Sequence, residues 1–269
     1  MKKCIIVCWG EVKKQRANYF NKLSNYISLL IWPVIVFLTT YFTYRSFDIS
    51  VLNNYGIDTQ SSLMAFLVTG ALGYNCFWCM VQSALFMLNE RQNGTLEIVF
   101  LSPANRLAVM YGRALGGIFQ SIWMFLLFAL MIIFITNGIT VEMLFRIPLA
   151  LIVLIVSSTI WGGFINSVFI ISRDITFWFT LSDEPMYLLS GAKVPVEAFP
   201  LWSQVLAAIF PLTYCLYIIR ALFTGKDDLI NPVIIVGLVT SLALLILITY
   251  VILYFAEKRN RRTGNLQLY

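Results

Sequence analysis

Glu90-Arg-Gln-Asn-Gly94-Thr-Leu-Glu97-Ile-Val-Phe-Leu-Ser102-Pro103-Ala-Asn-Arg106 is the longest polar-rich stretch lying between two long apolar runs. Asn93 and Gly94 end the preceding helix, because glycine enters the left-handed C-cap conformation without a Cβ clash. Thr95 stands where the next helix would take its N-cap, and Glu97 falls in the first turn, where a carboxylate favours the helix dipole. Leu96, Val99 and Phe100 then share one face at helical spacing. Pro103 stops that turn and Arg106 opens the next helix. The reading is a compact, capped, amphipathic helix outside the flanking apolar spans, a shape suited to docking on a soluble partner.

The composition says what those flanking runs are. The 269-residue chain is 59% hydrophobic and 12% charged, with a mean hydropathy of +0.81. Soluble domains carry about 25% charged residues, so this is a polytopic membrane protein. At about 20 apolar residues per helical crossing, six spans fit: 26–44, 61–88, 110–136, 147–171, 175–191 and 229–256. The fifth is short, broken by Pro185, and carries Asp183 and Glu184 near its middle. After it, 192–228 is apolar but punctuated by Pro195, Pro200 and Pro211, and its apolar piece 202–210 is too short to cross. That pattern reads as a re-entrant helical hairpin on the outer side. Segment 1–25 interleaves Lys and Arg with Ile5, Ile6 and Trp9 and reads as an amphipathic helix in the interface, its basic residues toward anionic lipid. The fold expected is therefore all-α: an interfacial helix (1–25), a six-span domain (26–257) and a basic tail (258–269). The glycines of Gly112-x-x-x-Gly116-Gly117 signal close helix packing first and a homodimer seam second.

Of the 19 basic residues, fourteen fall on one side if both termini share it: Lys2, Lys3, Lys13, Lys14, Arg16, Lys22, Arg91, Arg106, Arg113, Arg173, Lys258, Arg259, Arg261 and Arg262. The other five, Arg45, Arg146, Lys193, Arg220 and Lys226, fall opposite. By the positive-inside rule both termini, and the 90–106 stretch, are expected to face the cytoplasm. The net charge of +6 is thus a matter of topology, and no nucleic-acid partner is expected. The chain has no histidine and no phosphate-binding loop, since Gly225-Lys226 is followed by Asp227. Cys76-Phe-Trp-Cys79 has redox or metal spacing but lies in an uncharged apolar run, so packing is its expected role.

Glu90, Gly94-Thr-Leu-Glu97, Ser102-Pro103, Arg106 and Gly112 resemble the cytoplasmic coupling segment of type-2 ABC exporter permeases, a family that includes drug, nodulation-factor and polysaccharide exporters. Leu189-Ser190-Gly191, Pro195, Phe199-Pro200, Pro211-Leu-Thr-Tyr214, Arg220 and Gly225 resemble that family's fifth span and outer hairpin. The resemblance implies an elbow helix at the N-terminus and a bacterial cytoplasmic-membrane permease that is not itself an enzyme. It further implies two copies of a separate ATPase carrying ATP and Mg²⁺, a second permease copy or homologue, and no cofactor on this chain. Glu90, Arg91, Gly94, Thr95, Leu96, Glu97, Phe100, Ser102, Pro103 and Arg106 are then the ATPase-coupling candidates. Ser190, Gly191, Pro195, Pro200, Pro211, Tyr214 and Arg220 belong to the hairpin, where Arg220 is expected to hold the re-entrant helices to a neighbouring span.

Asp183 and Glu184 are not carried by the resemblance. Carboxylates at mid-bilayer depth cost a few kcal/mol and normally face protein or water. They admit three readings: a substrate-lining pair favouring a cationic or amphipathic substrate, an ion pair with Lys193 or Arg220, or a position beside an aqueous vestibule. The alternative function, a transporter or channel driven by an ion gradient, would use these acids, yet only one span carries any. A membrane enzyme lacks a nucleophile–base pair in any span.

Overall fold

The computed structural model describes residues 2–20, 23–44, 57–95, 102, 104–135, 141–172, 174–224 and 231–263. Its helices are α1 (Lys2–Gln15), α2 (Leu23–Tyr44), α3 (Gln60–Gln92), α4 (Arg106–Ala114), α5 (Ile118–Ile135), α6 (Val141–Ile171), α7 (Ile175–Leu189), α8 (Leu201–Ala207), α9 (Pro211–Thr224) and α10 (Pro232–Thr263). One 3₁₀ turn, Leu115–Gly117, joins α4 to α5. There is no strand among the described residues.

Among the described residues, five helices are long and apolar enough to cross a membrane: Tyr26–Tyr44, Gln60–Gln92, Arg106–Ile135, Phe145–Ile171 and Pro232–Lys258. A sixth candidate is the pair α8 and α9, bent by 88° at its break. The expected fifth crossing, α7, has 15 residues. It rises about 22 Å, short of the roughly 30 Å hydrocarbon core. Its C-cap Ser190 is buried, and Gly191 follows at φ +84°, where a side chain would be strained. The chain then turns inside the bundle. A Cβ on Gly70 would collide with the Ala192 carbonyl, and Gly70 stands about 15 Å along α3 from Gln60. The proline-punctuated stretch is thus a bent helix pair whose start packs against α3.

α3 is the central element and packs chiefly on α5 and α6. Within an apolar 18-residue stretch of α3, 78% of residues are buried, against 6% in α2 and 11% in α10, so those two helices face outward. Helices in lipid gain little from the hydrophobic effect, so association rests on close packing and small residues. Gly117 sits on the Cys79 carbonyl of α3, and Gly112 on the backbone of Cys8 in α1. The small-residue stripe is therefore spent within the chain. Cys76, Cys79 and Cys215 are buried and free, in the packing role expected of them.

Candidate coupling site

α3 ends as the sequence requires, with Asn93 as C-cap and Gly94 at φ +69°. Thr95 differs from expectation. It is already helical, and its hydroxyl donates to the Glu90 carbonyl at 3.1 Å, satisfying an orphan acceptor of the preceding helix end. Leu96, Glu97, Phe100 and Pro103 lie outside the described residues, as do Val99 and Leu101. Ser102 is half-buried, and Arg106 is the first residue of α4, N-capped by the Asn105 side chain.

The last turn of α3 decides how that segment is rooted. Glu90 and Arg91 are adjacent, so their side chains leave the helix about 100° apart. Glu90 points inward and is 4% exposed. Its carboxylate accepts from Arg113 Nη2 at 2.6 Å, from Gln15 Nε2 at 3.2 Å and from Lys14 Nζ at 3.3 Å. Arg113, on α4, is fully buried, and its Nε and Nη1 have no hydrogen-bond partner among the described residues. Lys14 also pairs with Glu11 at 3.1 Å. Two carboxylates and two cations thus make a neutral cluster in which α3, α4 and α1 meet.

Arg91 turns the other way. It donates to the carbonyls of Phe169, Ile170 and Ser172 at 2.8, 3.2 and 3.0 Å. Those are last-turn acceptors that α6 cannot satisfy itself. One dipeptide therefore ties the base of the 94–106 segment to α1, α4 and α6. Both residues spend their charge inside the chain.

α1 docks because Gly112 lets it. A Cβ there would lie 2.8 Å from both Cys8 Cα and the Cys8 carbonyl oxygen. Glu11, Val12 and Gln15 are buried against the bundle, whereas Ile5, Ile6 and Trp9 are exposed. The helix carries its polar stripe inward and its apolar face outward, as an interfacial helix does in lipid. Lys14, expected among the lipid-facing basic residues, instead reaches Glu90; Lys3 and Lys13 are exposed. Burial, with Glu11 nearby, pushes the Cys8 thiol above its usual range.

Arg113, Lys14 and Gln15 were invisible as site residues in the sequence. The one available signal was Arg113 as the lone charge in the 110–136 span, which must find a carboxylate inside the protein.

The second group of candidates lies toward the hairpin. Asp183 accepts from the Tyr74 hydroxyl at 2.9 Å, and Glu184 is exposed. The Tyr74 and Tyr187 ring centroids are 4.1 Å apart, and Lys193 Nζ stands 4.3 Å from the Tyr187 centroid. Arg220 donates to Thr69 Oγ1 and to the carbonyls of Phe66 and Gly191 at 3.3, 3.2 and 2.8 Å, with its guanidinium over the Phe66 ring. It joins α9, α3 and the start of the hairpin. Pro195 and Pro200 precede the 3₁₀ turn Val196–Ala198 and α8, Pro211 opens α9, and the Tyr214 hydroxyl donates to Ala208 at 3.1 Å across the bend. No group of three metal-ligating side chains occurs among the described residues.

The described helices form an all-α integral membrane bundle, with the root of the 94–106 segment tied to three of them. The chain matches the ABC-2 type transporter family over residues 2–224 and belongs to that family. It is a permease subunit of an ABC transporter, and the family works with ATPase partner subunits. Among curated proteins, none matches the chain.

Proposed function

We propose that this permease exports an amphipathic substrate across a bacterial cytoplasmic membrane, with both termini in the cytoplasm. Two permease copies, identical or homologous, enclose the pathway. Two copies of a separate ATPase, which bind ATP and Mg²⁺, dock on the segment 94–106. Leu96, Phe100 and the neighbouring apolar residues form the dry part of the dock, and Glu97, Ser102, Pro103 and Arg106 its polar rim.

One observation carries this reading: the Glu90 carboxylate holds α1 and α4 at the root of the segment, while Arg91 holds the end of α6. A push on the segment therefore moves three helices together. Packed bundles are bistable and not continuously deformable, so a small displacement there selects between two arrangements. The hairpin pinned by Arg220 acts as the lid, and Asp183 with Tyr74 and Glu184 lines the path.

The test is co-expression of this chain with its neighbouring genes, comparing wild type with Leu96→Asp and Glu97→Lys. Vanadate-sensitive ATPase activity co-purifies with wild type and is lost by dissociation in both variants. If no ATPase associates and neither change alters assembly, the coupling reading fails, and ion-gradient transport through Asp183 and Glu184 becomes the reading to pursue.

A further inference from the structure

Asp183 and Tyr187 stand four residues apart in α7, so they share one helix face. That face meets Tyr74 of α3, whose hydroxyl donates to Asp183 Oδ2 at 2.9 Å. The Tyr74 and Tyr187 rings lie 4.1 Å apart, tilted by 33°. All three side chains are half-buried. Asp183 sits about 12 Å along α7, near the middle of that helix.

A carboxylate at such depth is costly and calls for a partner. An amide would accept the Tyr74 hydrogen bond equally well without carrying a charge, so that bond alone does not account for an acid here. Among the described residues, no ion pair forms on Asp183, and its Oδ1 takes no hydrogen bond. One cation does join the cluster. Lys193, four residues past the end of α7, places its Nζ 4.3 Å from the Tyr187 ring centroid. Lys193 is exposed, and its ammonium rests on the ring, not on the acid. A cation–π contact at an exposed site is weak, and the lysine stem is flexible, so this ammonium can leave. With Glu184 exposed beside Asp183, two carboxylates face one ammonium, and one negative charge stays uncompensated.

We propose, resting on the reading that Asp183 and Tyr74 line the path, that this cluster is the subsite for a monocationic amphipathic substrate. Asp183 takes the positive charge, and the tyrosine pair supplies aromatic surface beside it. Lys193 is the resident cation and competes with the substrate. The apolar body of the substrate lies on the neighbouring face of α7, where Phe177, Leu181 and Leu188 are exposed.

The probe is radiolabelled tetraphenylphosphonium, with tetraphenylborate as its match in shape and opposite in charge. Binding to the full chain, purified in an uncharged detergent, is read by scintillation proximity. Wild type binds the phosphonium about tenfold more tightly than the borate, the size expected when a half-exposed ion pair is exchanged for a repulsion. Asp183→Asn keeps an acceptor for Tyr74 yet weakens phosphonium binding about fivefold. Lys193→Met strengthens it about threefold, Tyr187→Leu weakens it about threefold, and Tyr187→Phe leaves it unchanged, because the ring face and not the hydroxyl is used. Monodispersity on gel filtration confirms that each variant folds. Equal binding of the two ions by wild type, unchanged phosphonium affinity in Asp183→Asn, or weaker binding in Lys193→Met overturns the proposal. Displacement of the probe by equimolar tetramethylammonium overturns the amphipathic class in favour of a small soluble cation. Binding is measured without the ATPase, so a failed cation site leaves the co-purification result standing, and failed co-purification leaves this one standing.

Discussion

Replacing Glu90 with alanine should produce two losses of different size, and their separation tests how the root of the 94–106 segment is built. The larger loss concerns Arg113. Its guanidinium is fully buried, its Nε and Nη1 are already without partners, and Glu90 accepts from its Nη2 at 2.6 Å. Removing one partner of a buried pair costs about 3–5 kcal/mol, because a charge is left uncompensated. The smaller loss concerns α1, which reaches Glu90 through Gln15 and through Lys14, whose side chain is 33% exposed. A neutral–charged hydrogen bond and a screened ion pair together contribute about 1–2 kcal/mol to docking of that helix. Global stability is read by SDS titration of the purified protein. Docking of α1 is read by maleimide labelling of Cys8 in a Cys4→Ser background, since Cys76, Cys79 and Cys215 are buried. Glu90→Ala lowers the first by about 3–5 kcal/mol and speeds the second about tenfold, at roughly 1.4 kcal/mol per decade. Adding Arg113→Leu removes the stranded charge and restores most of the global stability, but leaves Cys8 labelling fast, because Lys14 and Gln15 still lack their acceptor. A double variant no more stable than Glu90→Ala, or one in which Cys8 labelling returns to the wild-type rate, refutes this account.

Cys8 should alkylate with a pH midpoint above that of a free cysteine, because burial and then Glu11 disfavour its thiolate. Glu11→Gln should lower that midpoint only modestly, since it removes the lesser cause; a full return to the free-thiol value would assign the shift to charge. Gly112→Val should displace α1, because a Cβ meets Cys8 backbone at 2.8 Å; accelerated trypsin cleavage at Lys13 and Lys14, with the spans intact, is the readout. Arg91→Ala should free the carbonyls of Phe169, Ile170 and Ser172. Amide exchange at the end of α6 should then rise, with a stability loss of about 1.5–3 kcal/mol for charged hydrogen bonds removed, while exchange in α1 stays unchanged.

Composition and periodicity alone determined the membrane class, the helical fold, the end of α3 at Asn93 and Gly94, and a proline-broken helix pair after α7. Each follows from local physics: apolar length against bilayer thickness, glycine in the left-handed region, proline without an N–H. The family motifs added the candidate coupling role of the 94–106 segment. Which way each charge points was decided by tertiary structure. Glu90 and Arg91 look in sequence like neighbouring surface contacts, yet the helical turn sends one into a buried cluster and the other to the end of α6. Lys14 looks like one more lipid-facing lysine, and Arg113 like one more basic residue at a membrane edge. Their partners lie 76 and 23 residues away, and only packing of α1, α3 and α4 around Gly112 brings them together. A buried charge must find its counter-charge somewhere in the fold, but the sequence states only that the debt exists; the three-dimensional arrangement of the helices names the partner.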